Sequence, residues 1–95
     1  MNMVKVKNTH SGDRKPPAGY SSWLSFWKDM KGIRQSESVI CANLACTYSA
    51  RHGGHVKKVK SDDGRWYIVP LCVSCNEDKD KEFVVDASSL VRASI

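Results

Sequence analysis

Four cysteines in a chain of 95 residues fall into two close pairs, Cys41-x4-Cys46 and Cys72-x2-Cys75, with 25 residues between the pairs. A gap of two to four residues lets one tight turn present two thiolates to a single ion. Two such turns supply the four tetrahedral ligands that Zn²⁺ takes, and they leave no open position, which marks a structural rather than a catalytic site. So short a chain buries a modest core and commonly needs a staple. The other staple that cysteines offer, a pair of disulfides, belongs to oxidising compartments. The lysines of residues 1–7 are not followed by an apolar stretch of the kind a secretory signal carries. No run approaches the roughly 18 apolar residues of a membrane span. The expectation is therefore a soluble cytoplasmic protein, with no membrane partner, in which Cys41, Cys46, Cys72 and Cys75 hold one structural Zn²⁺.

Around these pairs the chain divides into an arm and one domain. Residues 1–20 read as a flexible basic arm, because Asn8, Ser11, Gly12, Pro16, Pro17 and Gly19 interrupt any period. Val4 and Val6 would form a short strand there only if a partner edge were available. Residues 21–95 read as a single zinc-binding domain. In it, residues 21–31 have the pattern of an amphipathic helix: Ser21 or Ser22 caps it, Trp23, Phe26, Trp27 and Met30 share one face, and Gly32 ends it. That face is expected in the core, the alternative being an exposed groove for a protein partner. The first knuckle spans 41–46. A hairpin is expected over 55–69, with strands at 55–60 and 65–69 turning at Ser61-Asp62-Asp63-Gly64. In the second strand both faces are apolar, so it should be covered on both sides. The second knuckle and a short helix over 72–81 follow, the helix itself at 76–81. Then comes a strand at 82–86 and a tail that is either a loose helical turn or an extended edge. The fold class is α+β.

The net charge is +5, unevenly spread. Residues 41–60 carry four basic residues and no acidic one, whereas residues 61–80 carry two basic and five acidic. Arg51, Lys57, Lys58 and Lys60 are accordingly the candidate contacts for nucleic acid. Such contacts would position the protein on phosphates without reading sequence. Strand alternation should turn Lys58 and Lys60 to one face and Lys57 to the other.

Between and after the knuckles, the series Gly53-Gly54-His55-Val56, a hairpin, and Tyr67-Ile68-Val69-Pro70-Leu71-Cys72-Val73-Ser74-Cys75-Asn76 resembles the HNH family. These are treble-clef zinc modules with a ββα-metal core. The likeness covers about residues 41–81. The chain also resembles a group of short bacterial proteins in which a Trp-rich helix precedes such a module. The HNH resemblance implies that His55 stands where active nucleases place the general base. It implies that Asn76 stands at the last metal-binding position. The residue before the base, commonly an acid or histidine that holds the catalytic metal, is Gly54. His52 would have to fold back to substitute, and Asp62 and Asp63 sit in the far turn. The site reads as degenerate, and His55 then serves structure, hydrogen-bonded to Asn76 or to a backbone carbonyl. Three functions follow. The leading one is a non-catalytic zinc module that binds nucleic acid or a protein. The others are an HNH-type endonuclease using His55 and Asn76, and a protein-binding adaptor or inhibitor acting through the Trp23/Trp27 helix.

Overall fold

The computed structural model describes residues 2–9, 15–60 and 65–93. The turn expected at residues 61–64, and His10, lie outside the described residues. The described chain is a small α+β unit of five strands and two helices. They run in the order β1 (Met3–Asn8), α1 (Trp23–Met30), β2 (His52–Lys58), β3 (Tyr67–Leu71), α2 (Val73–Glu77), β4 (Glu82–Asp86) and β5 (Val91–Arg92), with a 3-10 turn at Ala87–Ser89. The strands form one sheet in the order β4-β1-β2-β3-β5, and every neighbouring pair is antiparallel. No helix among the described residues is long and apolar enough to cross a membrane.

The first strand corrects the expectation of an arm over residues 1–20. Met3–Asn8 lies second in the sheet order, with Val6 opposite Lys58 on one side and opposite Phe83 on the other. Period-2 burial drives it there: Val6 and Asn8 have no exposed surface, while Lys5 and Lys7, which alternate with them, are exposed. Both partner edges come from the far half of the chain, so the local sequence carries little of the signal.

Helix α1 starts where Ser22 Oγ accepts from the Ser25 amide at 3.0 Å. It ends in a Schellman turn, with Gly32 at φ 70° and the Ile33 amide donating back to the Lys28 carbonyl at 2.8 Å. Trp23, Phe26 and Trp27 are buried against Ile68 and Val91. Trp27 Nε1 also donates to the Ser89 carbonyl at 2.7 Å, tying the helix to the 3-10 turn. Met30, placed on the same face by its spacing, is instead exposed. The aromatic face is thus interior, which removes it as a surface for a partner.

Strand β3 is buried along its whole length and covered on both sides. Ile68 belongs to the α1 side, while Tyr67, Val69 and Leu71 join Val6, Val56, Phe83, Val85 and the cysteines on the other. Several bounds differ from those expected: α1 is Trp23–Met30 rather than 21–31, β2 His52–Lys58 rather than 55–60, β3 Tyr67–Leu71 rather than 65–69, and α2 Val73–Glu77 rather than 76–81. Cys72 itself caps α2, its sulfur accepting from the Cys75 amide at 3.5 Å, so the helix starts at the knuckle. The tail takes both forms considered, a 3-10 turn and a short edge strand.

Candidate metal centre and adjoining cleft

Two loops bring the cysteines together. The first knuckle is clamped onto the sheet by the Ala42 amide donating to the Pro70 carbonyl at 2.7 Å, and its ends are closed by the Cys41 amide on the Tyr48 carbonyl at 2.8 Å. Asn43 shapes its interior: its Oδ1 accepts from the Ala45 amide at 3.0 Å, and its carbonyl accepts from the Cys46 amide at 2.9 Å. The second pair comes from the cap and first turn of α2.

All four cysteines are free thiols, and their sulfurs lie within 4.8 Å of one another. With Zn–S bonds of about 2.3 Å, the edge of a tetrahedron of sulfurs is about 3.8 Å. Cys46 and Cys72 stand 3.7 Å apart, far beyond the roughly 2.05 Å of a disulfide. Cys41, Cys72 and Cys75 are buried and Cys46 is half-buried. Burial pushes the Cys41 thiol up to about 12 and raises Cys75. At Cys72 burial also acts upward, but hydrogen bonds from the Cys75 amide and the surrounding thiols outweigh it, and the thiol lies below its ordinary value. Asn43 Nδ2 donates to Cys75 Sγ at 3.5 Å. Four sulfurs this close can lose their protons together only beside a cation. The donor set therefore suits one thiophilic, tetrahedral metal ion.

The second knuckle is anchored from across the sheet by Asn8. Its side-chain Nδ2 donates to the carbonyls of Cys75, Asn76 and Asp78 at 3.0, 3.0 and 3.2 Å. The sequence reading missed Asn8 and Asn43. Asn43 carried a signal, since an asparagine inside a short loop readily bonds the backbone two residues on.

Beside the metal centre, β2 runs on past the end of β1. A cleft of about 210 Å³ opens there, and Thr9, Trp23, Arg51, His52, His55, Asn76 and Lys79 contribute to its walls. The structure thus brings His55 and Asn76 to one cavity. The His55 ring makes T-shaped contacts with Trp23, centroids 4.6 Å apart, and with Trp66, at 6.2 Å. The residue is 4% exposed, and its carbonyl accepts from both the amide and the hydroxyl of Thr9. Gly54 lies against the same region. A β-carbon there would be 2.3 Å from Leu71 Cδ1 and 3.2 Å from Asn76 Oδ1.

The basic candidates do not form one surface. Arg51 is at the cleft, and Lys58 is seven residues further on, roughly 23 Å of strand away. Lys57 sits over the Trp66 ring at 4.7 Å and Lys58 over Tyr67 at 5.0 Å, on opposite faces as strand alternation requires. Lys58 and Lys60 border a separate groove with Lys5. Lys79, not singled out in the sequence, joins Arg51 and His52 at the cleft.

No protein-family model, curated protein or solved structure matches this chain.

Proposed function

We propose that this chain is a small zinc module of treble-clef type that binds nucleic acid and does not cleave it. The metal is Zn²⁺, held by Cys41, Cys46, Cys72 and Cys75, and its role is to close the fold, in keeping with the reducing environment of a cytoplasm. The order knuckle, hairpin, helix, with the second ligand pair at the start of α2, supports the treble-clef reading.

The observation that carries the binding function is the composition of the cleft. Arg51, His52 and Lys79 contribute to it, and no carboxylate is among the described residues that line it. A concavity lined by an arginine and a lysine suits a phosphate of a nucleic-acid backbone. The test is binding of a random-sequence duplex across a salt series, for the parent and for Arg51→Ala/Lys79→Ala. Removing one cation that neutralises a phosphate should flatten the slope of log K against log salt by about 0.9. The double variant should therefore bind more weakly, with a slope shallower by roughly two. Salt-insensitive binding, or an unchanged double variant, contradicts the reading. The triple variant Lys57→Ala/Lys58→Ala/Lys60→Ala separates the cleft from the hairpin lysines and should have the smaller effect.

A metal-dependent nuclease with His55 as base and Asn76 as ligand is the second reading, favoured by the shared cleft of those two residues. Against it stands Leu71, which fills the space into which a side chain at position 54 would project. Asn76 would then hold Mg²⁺ without the carboxylates that ion prefers. Plasmid incubated with the protein and Mg²⁺, Mn²⁺ or Ni²⁺ should stay supercoiled. Nicking that disappears in His55→Ala would establish the nuclease.

A further inference from the structure

Of the eight aromatic residues, five are buried, Tyr20 and Trp66 are half-buried, and Tyr48 is 71% exposed. Tyr48 is not on a loose loop. Its carbonyl accepts from the Cys41 amide at 2.8 Å, and the next residue, Ser49, bridges Ile40. The phenol ring is therefore presented from backbone fixed to the first knuckle. Beside it is a depression of about 400 Å³ lined by Tyr48, Ser49, Arg51, Cys72, Val73 and Ser74. Arg51 lines both this depression and the basic cleft, so the two adjoin at that residue. Neither lining includes a carboxylate among the described residues.

An exposed aromatic ring carried on hydrogen-bonded backbone, next to an arginine and a basic cleft, is an arrangement that single-stranded nucleic acid uses. Backbone phosphates follow the cations while an unpaired base stacks on the ring. A duplex cannot use the ring in this way, since its bases are already stacked on one another. We infer that the preferred partner of this module is a single strand, with a phosphate in the Arg51/Lys79 cleft and an unpaired base stacked on Tyr48. This rests on the nucleic-acid reading above and adds to it the class of strand and the residue that selects it.

The experiment measures fluorescence anisotropy of a labelled 12-nucleotide single strand and of the corresponding 12-base-pair duplex at one salt concentration. The proteins are the zinc-loaded parent, Tyr48→Ala and Tyr48→Phe. Because the ring is exposed, zinc content and circular dichroism should be the same in all three. The parent should bind the single strand more tightly than the duplex. Tyr48→Ala should lose about tenfold on the single strand and nothing on the duplex, and Tyr48→Phe should retain parent affinity for both. Equal affinity of the parent for the two probes overturns the inference but leaves the nucleic-acid reading standing. So does an unchanged Tyr48→Ala, or an equal loss on both probes. Binding of neither probe removes both. Sedimentation of the free protein covers the remaining occupant: a dimer abolished by Tyr48→Ala would assign the ring to a second copy and overturn the proposal.

Discussion

Gly53 lies so close beneath the first turn of α1 that a β-carbon on it would stand 2.6 Å from the carbonyl carbon of Trp23 and 2.7 Å from the Leu24 amide nitrogen. Both atoms are backbone, so they cannot yield without moving the helix. Gly54, its neighbour, faces the opposite side of the sheet. There a β-carbon would meet the end of the Leu71 side chain at 2.3 Å. The two glycines let β2 be approached closely from both sides, by α1 on one and by Leu71 and Asn76 on the other.

The two positions should respond differently to alanine. Gly53→Ala should destabilise the zinc-loaded protein by about 1–3 kcal/mol through forced displacement of α1, read as a lower midpoint in urea. Gly54→Ala should cost less, because Leu71 Cδ1 ends a flexible side chain. Its cost should also shrink when Leu71 is trimmed, so the cycle Gly54→Ala, Leu71→Ala and the double variant should show coupling of at least about 0.5 kcal/mol. Strict additivity would show that Leu71 is not the obstacle. For the same reason, a metal-binding side chain installed at 54 tests for a degraded nuclease site only with Leu71 reduced.

Asn8 should behave as a core residue despite being polar. It has no exposed surface, and its amide group holds three carbonyls at the end of α2. Asn8→Ala leaves buried acceptors without this donor and should cost about 2–4 kcal/mol, using the usual 1–3 kcal/mol for each unsatisfied buried group. Asn8→Asp should be at least as damaging, since it turns a carboxylate toward the same oxygens. The check is chemical denaturation with zinc retained. A midpoint within error of the parent for Asn8→Ala would mean that these bonds contribute nothing net.

The parts of this molecule that sequence reasoning reached are those in which the signal is local. The knuckles depend on cysteine spacing, α1 on a Ser cap, an aromatic stripe and Gly32, and β3 on an unbroken apolar run. The parts it missed depend on partners far along the chain. β1 has only Val4 and Val6 as apolar residues facing inward, and its place in the sheet comes from β2 and β4, which lie in the far half of the chain. The role of Asn8 exists only once α2 is folded against it. The basic residues were grouped by closeness in sequence, whereas an extended strand separates Arg51 from Lys58 and folding brings Lys79 to Arg51. The exposed Tyr48 gave no pattern at all, because a lone aromatic in a loop has no period.

Tyr20 gives the fold an alkaline dependence. Its hydroxyl donates to Asp29 Oδ2 on α1, and that hydrogen bond, foremost, raises the phenol above its usual value near 10. A group whose folded value is raised contributes stability that is fully present below the unfolded value and fades as pH rises through the folded one. The contribution of this pair should therefore hold up to about pH 10 and fade above it. In a phenolate absorbance titration, Asp29→Asn should move one tyrosine to lower pH. In Tyr20→Phe that late-titrating component should be missing. A titration curve unaffected by Asp29→Asn would rule out the contact in solution.

The four-cysteine cluster is central to the proposed function, and X-ray absorption at the zinc edge on the purified protein, with the metal content of the same sample, tests the proposed Zn²⁺ most directly. One zinc per chain with four sulfur neighbours at about 2.3 Å and no nitrogen or oxygen neighbour is the expected result. Removing the metal with a chelator should then unfold the region that the two knuckles tie together, because binding and folding are one equilibrium in such domains. Well under one metal ion per chain, or a shell in which nitrogen or oxygen replaces a sulfur, would contradict the assignment of Cys41, Cys46, Cys72 and Cys75 as a closed structural site.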